Sequence, residues 1–551
     1  MIITQQKPFE EIIGFLERSN AVFICGCSEC ATLCKTGGEE EVKQMKKRLE
    51  ETGKKGSGWV VLDPACNILE NKKHFRENKA QLSKADSILV LACGNGVQAV
   101  SESIDKIVYP GVNTLFLGDI IRFGQFEERC QLCGECLLDK TGGICPISRC
   151  SKSLLNGPCG GSENGKCEID PDIDCAWQLI IDRLSKQEQI DRLKEIIPAK
   201  DWSTSRDGGP RKLNIREPHH KKAATSKEKK TEEAKTPVSS VKANSNLRRI
   251  LDGGEFAVTG ELGPPKGADA EVIKKKALYF KDSVDAVNIT DNQTAIVRMS
   301  SIAAGVILSQ MDIEPVVQMV CRDRNRLAIQ SDILGAAALG IRNVLCLSGD
   351  HQKFGNHPQA KNVYDLDAIG LIQVLKSMRD EKKFLSGDSL TVSPQLYIGA
   401  VENPYADPYE FRAIRLAKKI EAGCDFIQTQ GVFNVKKFRD WMKIVRDSGL
   451  DGKVHILAGV IPIKSAGMAR YMRDYVSGVS LPDEIVSRME DAKDPKEEGT
   501  RICVEIIEQL KEIEGIHGIH IMAVAWENII PVMVKQVKLW PRPKIENIRA
   551  S

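Results

Sequence analysis

No apolar run in this 551-residue chain approaches the roughly 18 residues that a membrane-spanning helix requires. Charge of one sign is also missing. Lys and Arg number 78 against 75 Asp and Glu, a net +3, which offers no field for nucleic acid or an anionic membrane surface. The N-terminus, Met1-Ile2-Ile3-Thr4-Gln5-Gln6-Lys7-Pro8, lacks a signal-peptide pattern. A cytoplasmic protein with no membrane span and no nucleic-acid partner is expected. There is no G-x-G-x-x-G loop, which weighs against an open dinucleotide-binding sheet. There is no C-x-x-C-H either, which argues against covalent haem.

Cysteine, by contrast, is abundant. Of 18 cysteines, 14 fall in the first 175 residues. In a secreted chain such density would mean disulfides; without a signal peptide it points to metal. Cys25, Cys27, Cys30 and Cys34 follow one apolar run, Cys66 a second and Cys93 a third. In a parallel sheet these positions share the carboxyl edge, where ligands bind. Cys30, Cys34, Cys66 and Cys93 could therefore form one four-thiolate site, or Cys66 and Cys93 could be small buried apolar residues. A denser run follows: Cys130, Cys133, Cys136, Cys145, Cys150, Cys159, Cys167 and Cys175. It opens as C-x2-C-x2-C with a later Cys-Pro, like a ferredoxin, although the last gap is longer. Two [4Fe–4S] clusters, one cluster and a zinc, or zinc alone all fit this spacing.

The length suggests about three to four domains. Residues 1–125 read as a small parallel α/β domain, with short apolar runs at Ala21–Cys25, Trp59–Asp63, Ser87–Ala92 and Val112–Leu117 separated by polar helical stretches. Residues 126–200 form the cysteine-rich metal or iron–sulfur segment. Residues 201–245 are rich in Lys, Ser, Thr, Ala and Glu with almost no large apolar side chains, which predicts a flexible linker.

Residues 246–551 change character. Eight strand-like runs appear: Phe256–Leu262, Ala286–Thr290, Pro315–Cys321, Asn343–Ser348, Leu396–Val401, Phe426–Gln430, His455–Val460 and Gly518–Val524. Helical segments lie between most of them, and Gly340, Gly423 and Gly515 stand where helices need a left-handed end. This is the size and pattern of a (β/α)8 TIM barrel. The fold class is therefore α/β, a C-terminal TIM barrel preceded by a small parallel α/β domain. Such barrels place active residues at the carboxyl ends of their strands: here Glu261, Thr290, Asp291, Gln318, Asp350, Glu402, Gln430 and Asn528. Glu261 and Asp350 offer a candidate proton donor and a candidate charge stabiliser. Either could equally cap a helix or pair in a salt bridge.

The segments "GELGPPK", "NITDNQTA", "LCLSGDHQ", "LAKKIEAGCDFIQTQGVFN" and "AGVIPI" resemble, in order, the strand-end motifs of flavin-dependent methylenetetrahydrofolate reductases. Residues 1–200 resemble the iron–sulfur partner subunit of the anaerobic-type reductases through "CATLCKTGG", "TGGICPISRC" and "LLNGPCGG", as if the two subunits were fused. The resemblance implies Glu261 as the acid that assists ring opening and Asp350 as the aspartate near pterin and flavin. It implies Gln430 and Phe433 as folate contacts, and Thr290, Gln318, Ser348, Gly349, Ala400 and Lys419 around the flavin. Gln318 and Ser348 replace the His and Arg of better-known members, which leaves both FAD and FMN open. The implied reaction is reduction of 5,10-methylenetetrahydrofolate, with electrons from a ferredoxin-like or larger redox partner and an oligomeric assembly. The alternative is an electron-transfer or scaffold subunit with a zinc-stapled N-terminal domain.

Overall fold

The computed structural model describes residues 1–213 and 242–543. Most of the linker expected over 201–245 lies outside the described residues. The chain divides into two compact units, Met1–Cys133 and Gly134–Ser551.

The first unit holds a four-stranded parallel sheet in the order Lys55–Leu62, Ala21–Cys27, Ser87–Val90, Ile107–Pro110. Ala21–Cys27 is a central strand, buried from Val22 to Cys27, which explains its unbroken apolar run. The helix Glu39–Glu51 buries Val42, Met45 and Leu49 on one face, and its three leading acids complement the positive end of the helix dipole. One expected strand belongs elsewhere. Val112–Leu117 is part of the longer strand Val112–Arg122, which pairs antiparallel with Ile2–Gln6 and Gln125–Cys130 in a separate three-stranded sheet. The chain leaves the parallel sheet at Gly111, where a Cβ would stand 2.4 Å from the Leu91 side chain.

In the second unit the eight strands Ala257–Leu262, Ala286–Ile289, Pro315–Val320, Asn343–Leu347, Tyr397–Glu402, Phe426–Gly431, His455–Val460 and Gly518–Ile521 close into a parallel barrel. Each lies within a few residues of its expected run. Gly340, Gly423 and Gly515 take positive φ of 91°, 111° and 88°, the left-handed conformation expected of helix ends. The floor of the barrel is an apolar layer of Ala257, Ala286, Val316, Leu345, Tyr397, Phe426 and Leu457. The helix Asn246–Asp252 seals it with Leu247, Ile250 and Leu251. Closing one end in this way leaves the carboxyl mouth as the route into the lumen.

The expected segment 126–200 is not a separate body. The boundary between units falls between Cys133 and Gly134, and the remainder is tied to the barrel by hydrogen bonds. Leu155 and Asn156 donate their backbone N–H to Asp367 at 3.1 and 2.8 Å. Ser162 and Asn164 bond Asp407 at 2.5 and 2.8 Å. Asn403 donates to the Gly160 carbonyl (3.0 Å), Arg412 to that of Cys159 (3.1 Å), Lys353 to that of Ile169 (2.9 Å) and Arg326 to that of Lys200 (2.7 Å). Phe411 joins Trp177, Ile180 and Leu184 in one apolar cluster. The segment supplies most of that cluster, with Ile144, Trp177, Ile180, Ile181, Leu184 and Leu193, and the barrel adds Phe411.

Candidate active site

Strand alternation decides which side chains meet in the lumen. Two residues above the apolar floor, Thr259, Asn288 and Gln428 face inward and bond one another. Asn288 Nδ2 donates to Gln428 Oε1 at 2.5 Å, and Gln428 Nε2 donates to Asn288 Oδ1 and to Thr259 Oγ1, both at 3.1 Å. Thr259 Oγ1 lies 3.0 Å from His520 Nδ1. All four residues are buried. One layer higher stands Glu261. Gln318 Nε2 lies 3.4 Å from Glu261 Oε2, and His520 Nε2 lies 3.8 Å from the same oxygen. The Glu261 side chain keeps 16% of its surface accessible, so it is reachable from the mouth. Sequence inspection found Glu261 and Gln318 at strand ends. It missed Thr259, Asn288, Gln428 and His520, although each is a polar residue inside an apolar strand run.

Around the rim, Thr290 is buried and its hydroxyl has no partner; the Ser348 hydroxyl is also buried and unpartnered. Such orphaned polar atoms are costly unless a ligand satisfies them. Gly349 has φ +89°, and a Cβ there would sit 3.1 Å from Val320, so the loop passes close over the neighbouring strand. Asp350 is exposed and accepts the Thr294 backbone N–H at 2.8 Å. Its carbonyl receives Arg322 Nη1 at 2.9 Å. Asp291 is committed to Arg324 (2.6 Å) and to the Val320 N–H (3.1 Å), a structural role. Gln430 Oε1 accepts the Gly431 N–H at 3.0 Å.

Three expected contacts are placed differently. Ala400 is fully buried in the layer between strands and helices, the side of the strand away from the lumen, so only its backbone could reach a ligand there. Lys419 is 1% exposed and bonds Glu402 at 2.5 Å and the Val401 carbonyl. It braces the strand end from behind. Burial pushes Lys419 down to about 8. Burial opposes the charge on Glu402 as well, yet Lys419, Arg415 and Arg412 hold it below the usual carboxylate range. Phe433 packs into the hydrophobic cluster at 4% exposure.

Among the described residues, no group of three or more His, Cys, Asp or Glu side chains is arranged to hold a metal ion. The cysteines nevertheless gather. Cys150, Cys159, Cys167 and Cys175 line one pocket with Lys152 and Glu168. Lys152 pairs with Glu168 at 2.5 Å, and Cys167 Sγ lies 3.4 Å from Ser151 Oγ. Burial, reinforced by Cys159, pushes the Cys150 thiol up to about 12. Burial likewise raises Cys175 to about 11, against backbone N–H groups of Gln178 and Trp177 at the start of a helix. In the first unit Cys66 is raised by burial and by Cys27, with Cys93 and Cys30 adding to it. Cys30 Sγ accepts the Ile2 backbone N–H at 3.4 Å. Cys25 is fully buried in the apolar cluster of the sheet, which makes it a core residue. Cys34 Sγ lies 3.8 Å from the Ile2 carbonyl. Cys145 precedes the short helix Pro146–Arg149. The run Cys130, Cys133, Cys136 straddles the boundary between units.

A family model described as methylenetetrahydrofolate reductase matches residues 246–538. The chain belongs to the methylenetetrahydrofolate reductase family. A second model, described as methylene-tetrahydrofolate reductase C terminal, matches residues 109–203, the segment that here precedes the barrel. "Probable methylenetetrahydrofolate reductase (NADPH)" of Caenorhabditis elegans is 23% identical over 253 residues, 45% of this chain and 36% of the relative. "Methylenetetrahydrofolate reductase 2" of Saccharomyces cerevisiae is 27% identical over 239 residues, 42% of this chain and 38% of the relative. The chain thus spans less than two fifths of the length of these reductases. A solved Clostridium thermocellum protein, described as binding two copies of 5-methyl-5,6,7,8-tetrahydrofolic acid, aligns at 17% identity and TM-score 0.40 over 54% of this chain and 99% of its own. No helix among the described residues is long and apolar enough to cross a membrane.

Proposed function

We propose that this chain reduces 5,10-methylenetetrahydrofolate to 5-methyltetrahydrofolate with a bound flavin, and that electrons reach the flavin through iron–sulfur centres held by its cysteines. The observation that carries the reading is Glu261, an accessible carboxyl at the mouth of a lumen whose other polar groups bond one another. Gln318 donates a hydrogen bond to it and His520 stands 3.8 Å away. Glu261 donates a proton to N10 of the folate as the C–N10 bond breaks, which leaves an iminium at N5. The exposed Asp350 carboxylate stabilises that positive charge. Gln430 orients the pterin through its amide NH2, and its carbonyl oxygen is braced by the Gly431 N–H.

The unpartnered hydroxyls of Thr290 and Ser348 fit the polar edge of a flavin ring. Together with Gln318, Gly349 and backbone at Ala400 they would hold it. A flavin held there would supply the hydride that the methylene carbon accepts. For the cysteines, the four thiols around the pocket of Cys150, Cys159, Cys167 and Cys175 suit a four-thiolate iron–sulfur centre, and the group of Cys27, Cys30, Cys66 and Cys93 offers a second. The first of these belongs to the same unit as the barrel, which supports a role in feeding the flavin; the electron source is then a low-potential redox protein or partner subunit.

Anaerobic purification followed by flavin, iron and zinc analysis tests the cofactor part. The expected outcome is flavin together with about four iron per centre. Zinc without iron would overturn the electron path and leave the zinc-stapled alternative.

A further inference from the structure

We infer that Lys152 and Glu168 are positioning residues that set the reduction potential of a thiolate-held centre in the pocket of Cys150, Cys159, Cys167 and Cys175. The inference rests on the reading of that pocket as an iron–sulfur site.

Lys152 and Glu168 line the pocket together with the four cysteines. The Lys152 side chain is 7% exposed and that of Glu168 16%, a setting in which an unpaired charge is costly. They pair with each other at 2.5 Å, but the pairing does not use up the carboxylate. Glu168 Oε2 lies 3.8 Å from Cys159 Sγ. The backbone makes room for this approach at Gly161, in "NGPCGGS", where a Cβ would fall 1.6 Å from the same oxygen. A free thiol could donate to that oxygen. A thiolate bound to iron has no hydrogen to give. The carboxylate and the ligand sulfur are then two anions side by side, and Lys152 compensates them. Arg412 is a second cation near this sulfur and donates to the Cys159 carbonyl at 3.1 Å.

The same pair is tied to the loop that would border the flavin. Ile169, next to Glu168, gives its carbonyl to Lys353 at 2.9 Å, and Asp170 pairs with Lys353 at 3.8 Å. Ser153, next to Lys152, shares a small cavity with Tyr364, whose hydroxyl lies 3.4 Å from the Gly349 and Asp350 carbonyls. His351 in that loop is held below its ordinary value by burial and then by Lys152, against the pull of Glu168. Reduction adds one negative charge to an iron–sulfur centre, and the net charge around the sulfurs sets its potential. A buried cation favours the added electron and a buried anion opposes it, both more strongly in a low local dielectric. Lys152 therefore raises the potential and Glu168 lowers it. The electron comes from the low-potential donor, and no bond to either side chain forms or breaks.

The test is potentiometric titration of the full chain, purified anaerobically and followed by electron paramagnetic resonance, with iron measured on each variant. The signal missing from Cys159→Ser identifies the centre. Lys152→Met should lower its potential and Glu168→Gln should raise it. Each shift should correspond to about a tenfold change in the oxidised-to-reduced ratio at fixed poise, about 59 mV for one electron. Lys152→Arg should stay near the wild type, and the double variant Lys152→Met with Glu168→Gln should lie between the two singles. A pair that only braces the fold would move both single variants the same way. Should Lys152→Met not fold, Glu168→Gln and Lys152→Arg carry the test. Shifts of one sign, or an unmoved potential in either charge-removing variant, overturn the inference. Loss of iron from Lys152→Met but not from Lys152→Arg supports the role of the charge; loss from both overturns it. A wild type without iron, or one whose signals all survive Cys159→Ser, would instead overturn the iron–sulfur reading of the pocket.

Discussion

The barrel should not stand without the cysteine-rich segment in front of it. A chain starting at Gly134 keeps the second unit whole, whereas one starting at residue 242 removes Leu155, Asn156, Ser162, Asn164 and the carbonyls of Cys159, Gly160, Ile169 and Lys200 from their barrel partners. Several of those partners are charged and buried. Asp367 would lose two backbone donors, and Arg412, fully buried and already with one nitrogen unpartnered, would lose another acceptor. A hydrogen bond contributes about 1 kcal/mol net, and about 1.5–3 kcal/mol where one member is charged. Taken together the set is comparable with the roughly 5–15 kcal/mol that holds a domain folded. Stripping Trp177 and its neighbours from Phe411 adds an exposed apolar patch. The assay is thermal unfolding and size-exclusion chromatography of the two fragments side by side. The fragment from Gly134 should be soluble and melt cooperatively; the one from residue 242 should aggregate or melt far lower. Equal melting temperatures would refute the view that residues 134–213 are part of the barrel's fold.

Glu261→Gln should retain bound flavin and its reduction by dye but slow folate turnover by about 100-fold or more, measured by steady-state kinetics. Burial holds Lys419 down to about 8, whereas an unfolded lysine titrates near about 10.4. Between those values the unfolded chain carries a proton that the folded chain has shed, so this residue adds stability as pH rises through that window. The stability of the wild type relative to Lys419→Met should therefore increase from about pH 8 to about pH 10.4, as read from denaturant unfolding at each pH. NADH or NADPH alone should reduce the flavin slowly compared with a low-potential ferredoxin, because hydride transfer needs no one-electron carriers; anaerobic stopped-flow absorbance decides it. Cys159→Ser should lower iron content while the barrel keeps its flavin, by elemental analysis and absorbance.

The barrel was legible because its strands are short apolar runs at regular spacing and its helices end in glycines that φ requires. Glu261 and Gln318 were legible because strand ends are where such folds place reactive groups. The lumen network was not. Thr259, Asn288 and Gln428 look like weak points in apolar strands until closure brings three distant strands together around them. The resemblance implies Lys419 and Ala400 beside the flavin, but helix packing and strand alternation turn their side chains away from the lumen. The docking of the cysteine-rich segment on the barrel was not legible either. Its attachment depends on single backbone groups meeting Asp367, Asp407 and Arg412, for which sequence carries no local signal.

The central claim is that this chain makes 5-methyltetrahydrofolate. The direct measurement is anaerobic incubation of the purified full chain with 5,10-methylenetetrahydrofolate and a reduced viologen dye, with the folate products identified by mass spectrometry. The account predicts 5-methyltetrahydrofolate formed in step with dye oxidation, two dye electrons per molecule of product. Dye oxidation without a methylated folate, or no turnover by a preparation that holds its flavin, would contradict it.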